Sequence, residues 1–532
     1  MIASGRLAAI AVGLMAATAP LGAAASQGTA DPCAGVSARD AKCSVVTVPE
    51  NPSAREKHGA RSGQAPSTRS GQAPSTRSGQ AATAGARTIP IRVVVLPATG
   101  ENPLPDPIFF LAGGPGQAAT DLVRGFTNSP LRARRDIVLV DQRGTGGSNP
   151  LTCGFYRPED EASGRFADFL PIDRVRACRE ELERVADLAQ YTTAASVADL
   201  EAVREHLGYE RINLAGGSYG TRLVLEYARA HGPRVRTMVL DGAVPPSAAA
   251  PAGFGVSAQQ ALDGILDECL AEASCAKAFP DVRTRAKELF ARLRARPMQV
   301  RLPNEETTFT LTADHVAEAL RYLTYTTQNA SRVPLLIEQA HGGDPSGFLQ
   351  ALRTQRRGSP LGGLYLSITC AEDVRFADPD LVARDRETYL SDYRYRQQHA
   401  ACAEWPRGAM TEASRTPVRS EVPTLLVTGA LDPATPPSFA EEVAGTLPNS
   451  LLLKLPSGGH GFNGLDGLGC VNGIRDRFIE QGSRSGSGGR TRGHGGRDGH
   501  PDRTRRARAP ARHGRPPSGR APDRARRIAS GA

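Results

Sequence analysis

Aromatic residues are scarce. Phenylalanine, tyrosine and tryptophan make up 5% of the 532 residues, and Trp405 is the single tryptophan. Beyond residue 25 no stretch holds the roughly 18 consecutive apolar residues that a membrane span needs, so no membrane-spanning helix is expected. Histidines, cysteines and carboxylates nowhere fall at metal-ligand spacing, and no Walker-type glycine loop occurs, so neither a metal nor a cofactor is implied. Residues 483–532 contain Gly, Ser, Arg, Thr, His, Asp, Pro and Ala with one Ile, which excludes a packed core there. They also lack aromatic side chains that stack on bases, so no specific nucleic-acid binding is expected.

Neutrality of the main body is hidden by this tail. The chain carries a formal +10, while the segment from Gly482 holds 14 Arg against 3 Asp. The basic balance therefore belongs to the end of the chain. Arg/Gly/Pro-rich text of this kind is also what a shifted reading frame of a GC-rich gene yields, and a frameshift near 482 is one reading of it.

At the other end, Arg6 precedes the apolar run Leu7–Ala23, followed by Ala23-Ala24-Ala25. This is the pattern of a secretory signal peptide over residues 1–25, and it predicts a secreted protein. Nine cysteines in an exported chain imply disulfides with one thiol left over. Short separations suggest Cys33–Cys43, Cys153–Cys178, Cys269–Cys275 and Cys370–Cys402, leaving Cys470.

The most informative stretch is 211–231. An apolar strand, Ile212 to Ala215, runs into Gly216-Gly217-Ser218-Tyr219-Gly220, and an amphipathic helix follows at once. This is the G-x-S-x-G nucleophile elbow in its strand–turn–helix setting. The turn is sharp enough that positions 216 and 220 need a residue without Cβ. Ser218 then stands at a helix N-terminus, where developing negative charge is favoured.

Strands alternate with helices on both sides of the elbow. Ser44–Val48, Thr88–Pro97, Pro107–Leu111, Asp136–Val140 and Val235–Leu240 read as strands, and 196–207 as a helix. Between the first two lies an insert, 55–87, in which Arg-Ser-Gly-Gln-Ala-Pro-Ser-Thr recurs at 61–68 and 69–76. It holds too little apolar surface to repay ordering and is expected to be a flexible loop expansion. From Pro246 to Arg419 the pattern turns largely helical. Strand–helix alternation then returns at Val422–Thr428, 437–446 and Leu451–Leu455. The chain therefore predicts an α/β fold, a mostly parallel sheet flanked by helices. Its core is formed by 26–245 and 420–482, with 246–419 inserted as a helical cap.

A serine nucleophile needs a base and an orienting acid. Asp432 follows the first strand after the cap, and His460 follows the last, in Ser457-Gly458-Gly459-His460-Gly461. Ser218, Asp432 and His460 thus stand in the chain order of the α/β hydrolases. The backbone N–H of Tyr219, with one from Gly113-Gly114, is expected to hold an oxyanion, and Gly114-Pro115 is a candidate cis peptide. Asp141 and Arg143 read as structural, an ion pair bracing the oxyanion loop.

Four motifs carry a resemblance. Ala-Gly-Gly-Pro-Gly-Gln at 112–117, Asp-Gln-Arg-Gly-Thr-Gly at 141–146, Gly-Gly-Ser-Tyr-Gly at 216–220 and Asp-Pro-Ala-Thr-Pro-Pro at 432–437 resemble the secreted tripeptidyl aminopeptidase-like relatives of proline iminopeptidase. The likeness covers roughly Cys33 to Gly482. It implies an α/β-hydrolase exopeptidase that cleaves peptide substrates from a free N-terminus. Proline iminopeptidases usually carry His where this chain has Ala112, which points to the tripeptidyl branch. Ser367-Ile368-Thr369-Cys370-Ala371-Glu372-Asp373 resembles the family's cap motif, and Glu372, or else Asp373, is the expected anchor for the substrate amine. Relatives tend to end in a Cys-containing segment, where a partner for Cys470 would arrive. The alternatives are an esterase or other acyl hydrolase on the same triad, or a non-catalytic binding protein of the same fold.

Overall fold

A computed structural model describes residues 31–53, 87–156, 161–303, 305–357, 362–410 and 412–482, all within one compact unit. The expected signal peptide, the tail from 483 and all of the repeat insert but Arg87 lie outside the described residues.

Among the described residues ten strands occur in chain order: β1 (Lys42–Pro49), β2 (Thr88–Leu96), β3 (Ile108–Leu111), β4 (Ile137–Val140), β5 (Ile212–Gly217), β6 (Val235–Asp241), β7 (Met298–Arg301), β8 (Thr308–Leu311), β9 (Thr424–Gly429) and β10 (Ser450–Leu455). Eight form one sheet, ordered β1-β2-β4-β3-β5-β6-β9-β10. The β1–β2 and β2–β4 pairs are antiparallel, and the remaining pairs are parallel. The central strands are buried on both faces, which is why they read in sequence as unbroken apolar runs. Successive side chains point to opposite sides of a strand. Leu240 and Leu426 accordingly pack one face with Val203, Leu223, Val224 and Val443. Their neighbours Val239, Leu425 and Val427 pack the other with Val471, Phe478 and Ile479.

Strands β6 and β9 are adjacent in the sheet, so everything between Asp241 and Thr424 leaves it and returns. That excursion is the cap. Helices Phe254–Ala271, Val282–Ala295, Ala313–Leu323 and Val333–His341 give it a separate core around Leu262, Leu289, Val316, Leu320 and Ile337. It also contains the β7–β8 hairpin, which the helical reading of the sequence passed over. A second cap cluster joins Leu151, Phe169, Val175 and Leu182 to Leu364, Ile368, Tyr393 and Trp405. Residues 151–191, grouped with the hydrolase core by sequence, thus pack with the cap helices Gly363–Glu372 and Tyr393–Ala403.

All four expected disulfides are present, and Cys470 is free and exposed. Cys370–Cys402 joins those two cap helices across 32 residues. In the chain-entropy model a loop of that size is worth about 4 kcal/mol. Among the described residues no helix is long and apolar enough to cross a membrane.

Candidate active site

The elbow forms where β5 ends. Ser218 is the N-cap of the helix Tyr219–His231, with φ 54° and ψ −127°, a left-handed conformation that a non-glycine residue holds only under strain. Surrounding contacts enforce it. The Ser218 N–H donates to Asp241 O at 2.9 Å, tying the turn to the end of β6. A Cβ on Gly220 would lie 2.1 Å from Leu111 O, so only glycine lets the helix start this close to β3. The Tyr219 N–H is then among the first amides of the helix, which the helix itself leaves without acceptors.

The loop after β3 packs on the elbow from the other side. A Cβ on Gly113 would stand 3.0 Å from Ser218 Cβ and 2.9 Å from Gly217 O. The Gly114–Pro115 peptide is cis, and Gly114 has φ +108°. The backbone of this loop is therefore brought against Ser218. Gln142 Nε2 holds the loop by donating to Ala112 O at 2.9 Å. Asp141 holds it by accepting from Thr120 N and Oγ1 and from Gly147 N, at 2.9, 3.0 and 2.9 Å.

The expected Asp141–Arg143 ion pair does not form. Arg143 turns the other way and makes a bidentate pair with Asp199, 2.7 Å on each arm. It also donates to the carbonyls of Glu50 and Gln190 at 2.7 and 2.8 Å. The partner sits on the helix Thr193–His206, beyond the reach of local sequence logic. Asp141 braces the loop after β3, while Arg143 braces the helix Thr193–His206 instead.

Asp432 and His460 meet. His460 Nδ1 lies 2.9 Å from Asp432 Oδ2. Asp432 Oδ1 accepts the N–H groups of Ala434 and Thr435, each at 2.8 Å. Thr435 Oγ1 donates to Asp432 Oδ2 at 2.7 Å and stands 3.1 Å from His460 Nδ1. Burial works against the charge on Asp432, but His460 and the Thr435 hydrogen bonds outweigh it and hold the carboxyl below its usual range. Thr435 was missed from the sequence. The signal was available, because a hydroxyl three residues after a turn aspartate commonly bonds back to it.

His460 and Ser218 line one cavity of about 510 Å³, shared between the hydrolase core and the cap. Gly113, Gly114 and Asp241 line it from the core, Arg321, Tyr325 and Arg394 from the cap, and Phe169 from the segment packed on the cap. The cap is stitched to the histidine loop. Gly461 N donates to Tyr325 O at 2.6 Å, and Thr327 Oγ1 to Ser457 O at 2.9 Å. Tyr325 was not singled out by sequence.

Glu372 and Asp373 do not reach this cavity. Both are buried against the helix that follows the elbow. Arg222 Nη1 lies 2.8 Å from Asp373 Oδ1 and 3.8 Å from Glu372 Oε2. Glu372 also accepts Thr193 N at 2.7 Å and Oγ1 at 2.6 Å. The sequence offered them as anchors for a substrate amine; in the structure they lie outside the lining of this cavity and both face Arg222. Burial pushes the Glu372 carboxyl up to about 7 against the pull of Arg222 and Thr193. Among the described residues no group of three or more His, Cys, Asp or Glu is placed to hold a metal ion.

Residues 106–465 match the family model of the alpha/beta hydrolase fold. The chain belongs to that family. It is 36% identical over 141 residues to a proline iminopeptidase of Neisseria gonorrhoeae, which covers 26% of this chain and 34% of that protein. The match thus spans about a third of that relative. Over 409 residues it is 26% identical to serine protease Hip1 of Mycobacterium tuberculosis, covering 68% of this chain and 76% of that protein. A solved structure of proline iminopeptidase from Mycobacterium smegmatis is 18% identical, covers 74% of this chain and 95% of its own, and has a TM-score of 0.35.

Proposed function

We propose that this chain is a secreted serine aminopeptidase that hydrolyses peptides from the free N-terminus, releasing tripeptides through a Ser-His-Asp acyl-enzyme. The observation that carries the reading is that Ser218 and His460, the latter held by Asp432, both line one cavity under the cap. His460 Nε2 takes the Ser218 proton as Oγ attacks the scissile carbonyl. Asp432 fixes the Nδ1–H tautomer and stabilises the imidazolium. The oxyanion is held by the Tyr219 N–H and by an amide of Gly113-Gly114. One such donor is typically worth about 2.7–4 kcal/mol of the barrier. His460 then returns the proton to the leaving amine, and water repeats the sequence on the acyl-enzyme.

Three further facts support the finer reading. A cavity of this size, lined on one side by a cap, suits a chain end better than the middle of a folded substrate. Relatives carry the names proline iminopeptidase and serine protease. Four disulfides fit an oxidising, extracytoplasmic destination. The test is a panel of free and N-acetylated tripeptide arylamides beside acyl esters, with fluorophosphonate labelling of Ser218. Labelling and turnover lost in Ser218→Ala, with free N-termini preferred, is the expected result. Ester turnover without arylamide turnover replaces this reading with an esterase.

A further inference from the structure

The cap side of the cavity is cationic, and its cations are incompletely paired. Arg394 donates from Nη1 to Glu318 Oε2 at 2.8 Å and lies 3.5 Å from the centroid of the Phe169 ring. Arg321 sits over the rings of Phe254 and Tyr325, at 4.3 and 5.2 Å. Behind them Arg356 donates to the Tyr156 hydroxyl and the Ala167 carbonyl. Among the described residues Glu318 is the one carboxylate that hydrogen-bonds any of these three guanidinium groups.

Unpaired polar atoms gather at the same place. Thirteen buried side-chain nitrogens and oxygens of the described residues have no hydrogen-bond partner, and six of them belong to this cluster. They are Nε and Nη2 of Arg321, Nε of Arg356 and Arg394, and Oε1 of Glu318 and Gln355. Each such group costs about 1–3 kcal/mol, more when charged. A folded chain rarely leaves several together without water, an ion or a ligand to complete them. Arg321 is 2% exposed and lines the cavity. Tyr325 touches both sides, 5.2 Å from the Arg321 guanidinium and 5.0 Å from the His460 ring, measured at ring centroids.

We infer that Arg321, with Arg394 beside it, forms a carboxylate-binding subsite next to the nucleophile. The inference rests on Ser218 acting as a peptidase nucleophile and adds a substrate class to that reading. A guanidinium at the cavity wall is suited to a carboxylate, which it matches through its planar fork of N–H donors. Three guanidinium groups against one glutamate leave net positive charge to be neutralised. The carboxylate has two sources, an acidic side chain on the acyl portion of the substrate or the free C-terminus of a short peptide.

The test compares Ala-Ala-Glu-arylamide with Ala-Ala-Gln-arylamide, and tetra-alanine with its C-terminal amide, using the full chain. Wild type is expected to prefer one charged member by tenfold or more in kcat/KM, and the pair that shows it names the source. In Arg321→Gln that ratio should fall to about 1, and Arg321→Lys should restore part of it. The fluorophosphonate labelling rate of Ser218 reports whether each variant remains folded at the site. If wild type cleaves both members of each pair equally, or keeps its preference in a labelled Arg321→Gln, the subsite is overturned and the peptidase reading stands. If neither arylamide nor peptide is cleaved while esters are, both fall together.

Discussion

Tyr325 of the cap lies edge-on to His460, ring centroids 5.0 Å apart and planes at 70°. Under the proposed mechanism the contact makes the cap part of the site geometry, since an imidazole held only at Nδ1 can still swing about that bond. Tyr325→Phe keeps the ring and should leave kcat/KM within about twofold. Tyr325→Ala removes the wall and should lower kcat about tenfold, in line with the sensitivity of general-base catalysis to placement. Steady-state kinetics on a tripeptide arylamide checks both.

Thr435 bonds the same Asp432 oxygen that faces His460. Thr435→Val removes that donor and should reduce kcat by about 10–100-fold with little change in KM, while Thr435→Ser should recover most of it. Asp432→Asn goes further. It replaces an acceptor by an amide that can enforce the wrong tautomer, and a loss of about 10⁴-fold in kcat is expected. The order Asn, then Val, then Ser in severity is the measurement that matters.

Glu372 couples stability to pH. Its folded value, about 7, lies above the ordinary carboxyl range, so the folded state favours the protonated acid. The stabilisation from this group is complete below its unfolded value and is lost as pH rises toward 7. Glu372→Gln should therefore flatten the dependence of unfolding free energy on pH between about 4.5 and 7, a difference on the order of 3 kcal/mol. Chemical denaturation of both proteins at several pH values in that window tests the sign. A difference between wild type and Glu372→Gln that grows in favour of wild type as pH rises through this window contradicts the assignment.

Arg143 is fully buried, and its four hydrogen bonds join Asp199 to the carbonyls of Glu50 and Gln190. Removing one partner leaves a buried charge unpaired. Asp199→Ala should cost about 3–5 kcal/mol, read as a lower urea midpoint at unchanged slope. Replacing both residues by apolar ones should cost less than Asp199→Ala alone.

The sequence by itself determined what depends on local chemistry. Gly216, Gly220 and Ser218 specify a strand–turn–helix because no Cβ fits the turn, and that is visible without coordinates. Central strands buried on both faces announce themselves as apolar runs. Asp432 and His460 each follow a strand, so chain order alone pairs them with Ser218. Cysteines a few residues apart have few partners to choose from, and all four expected bridges are present.

Tertiary structure decided every partnership made across the chain. Arg222 meets Glu372 and Asp373, and Asp199 rather than Asp141 meets Arg143. A charged side chain in a helix shows which face it occupies, not which guanidinium is folded against that face. The β7–β8 hairpin was hidden because four-residue strands are too short to display a period of two among helices. Tyr325, Arg321 and Arg394 carry no motif. They line the cavity because the cap folds back over the ends of β5 and β6, and packing at that distance leaves no trace in local residue spacing.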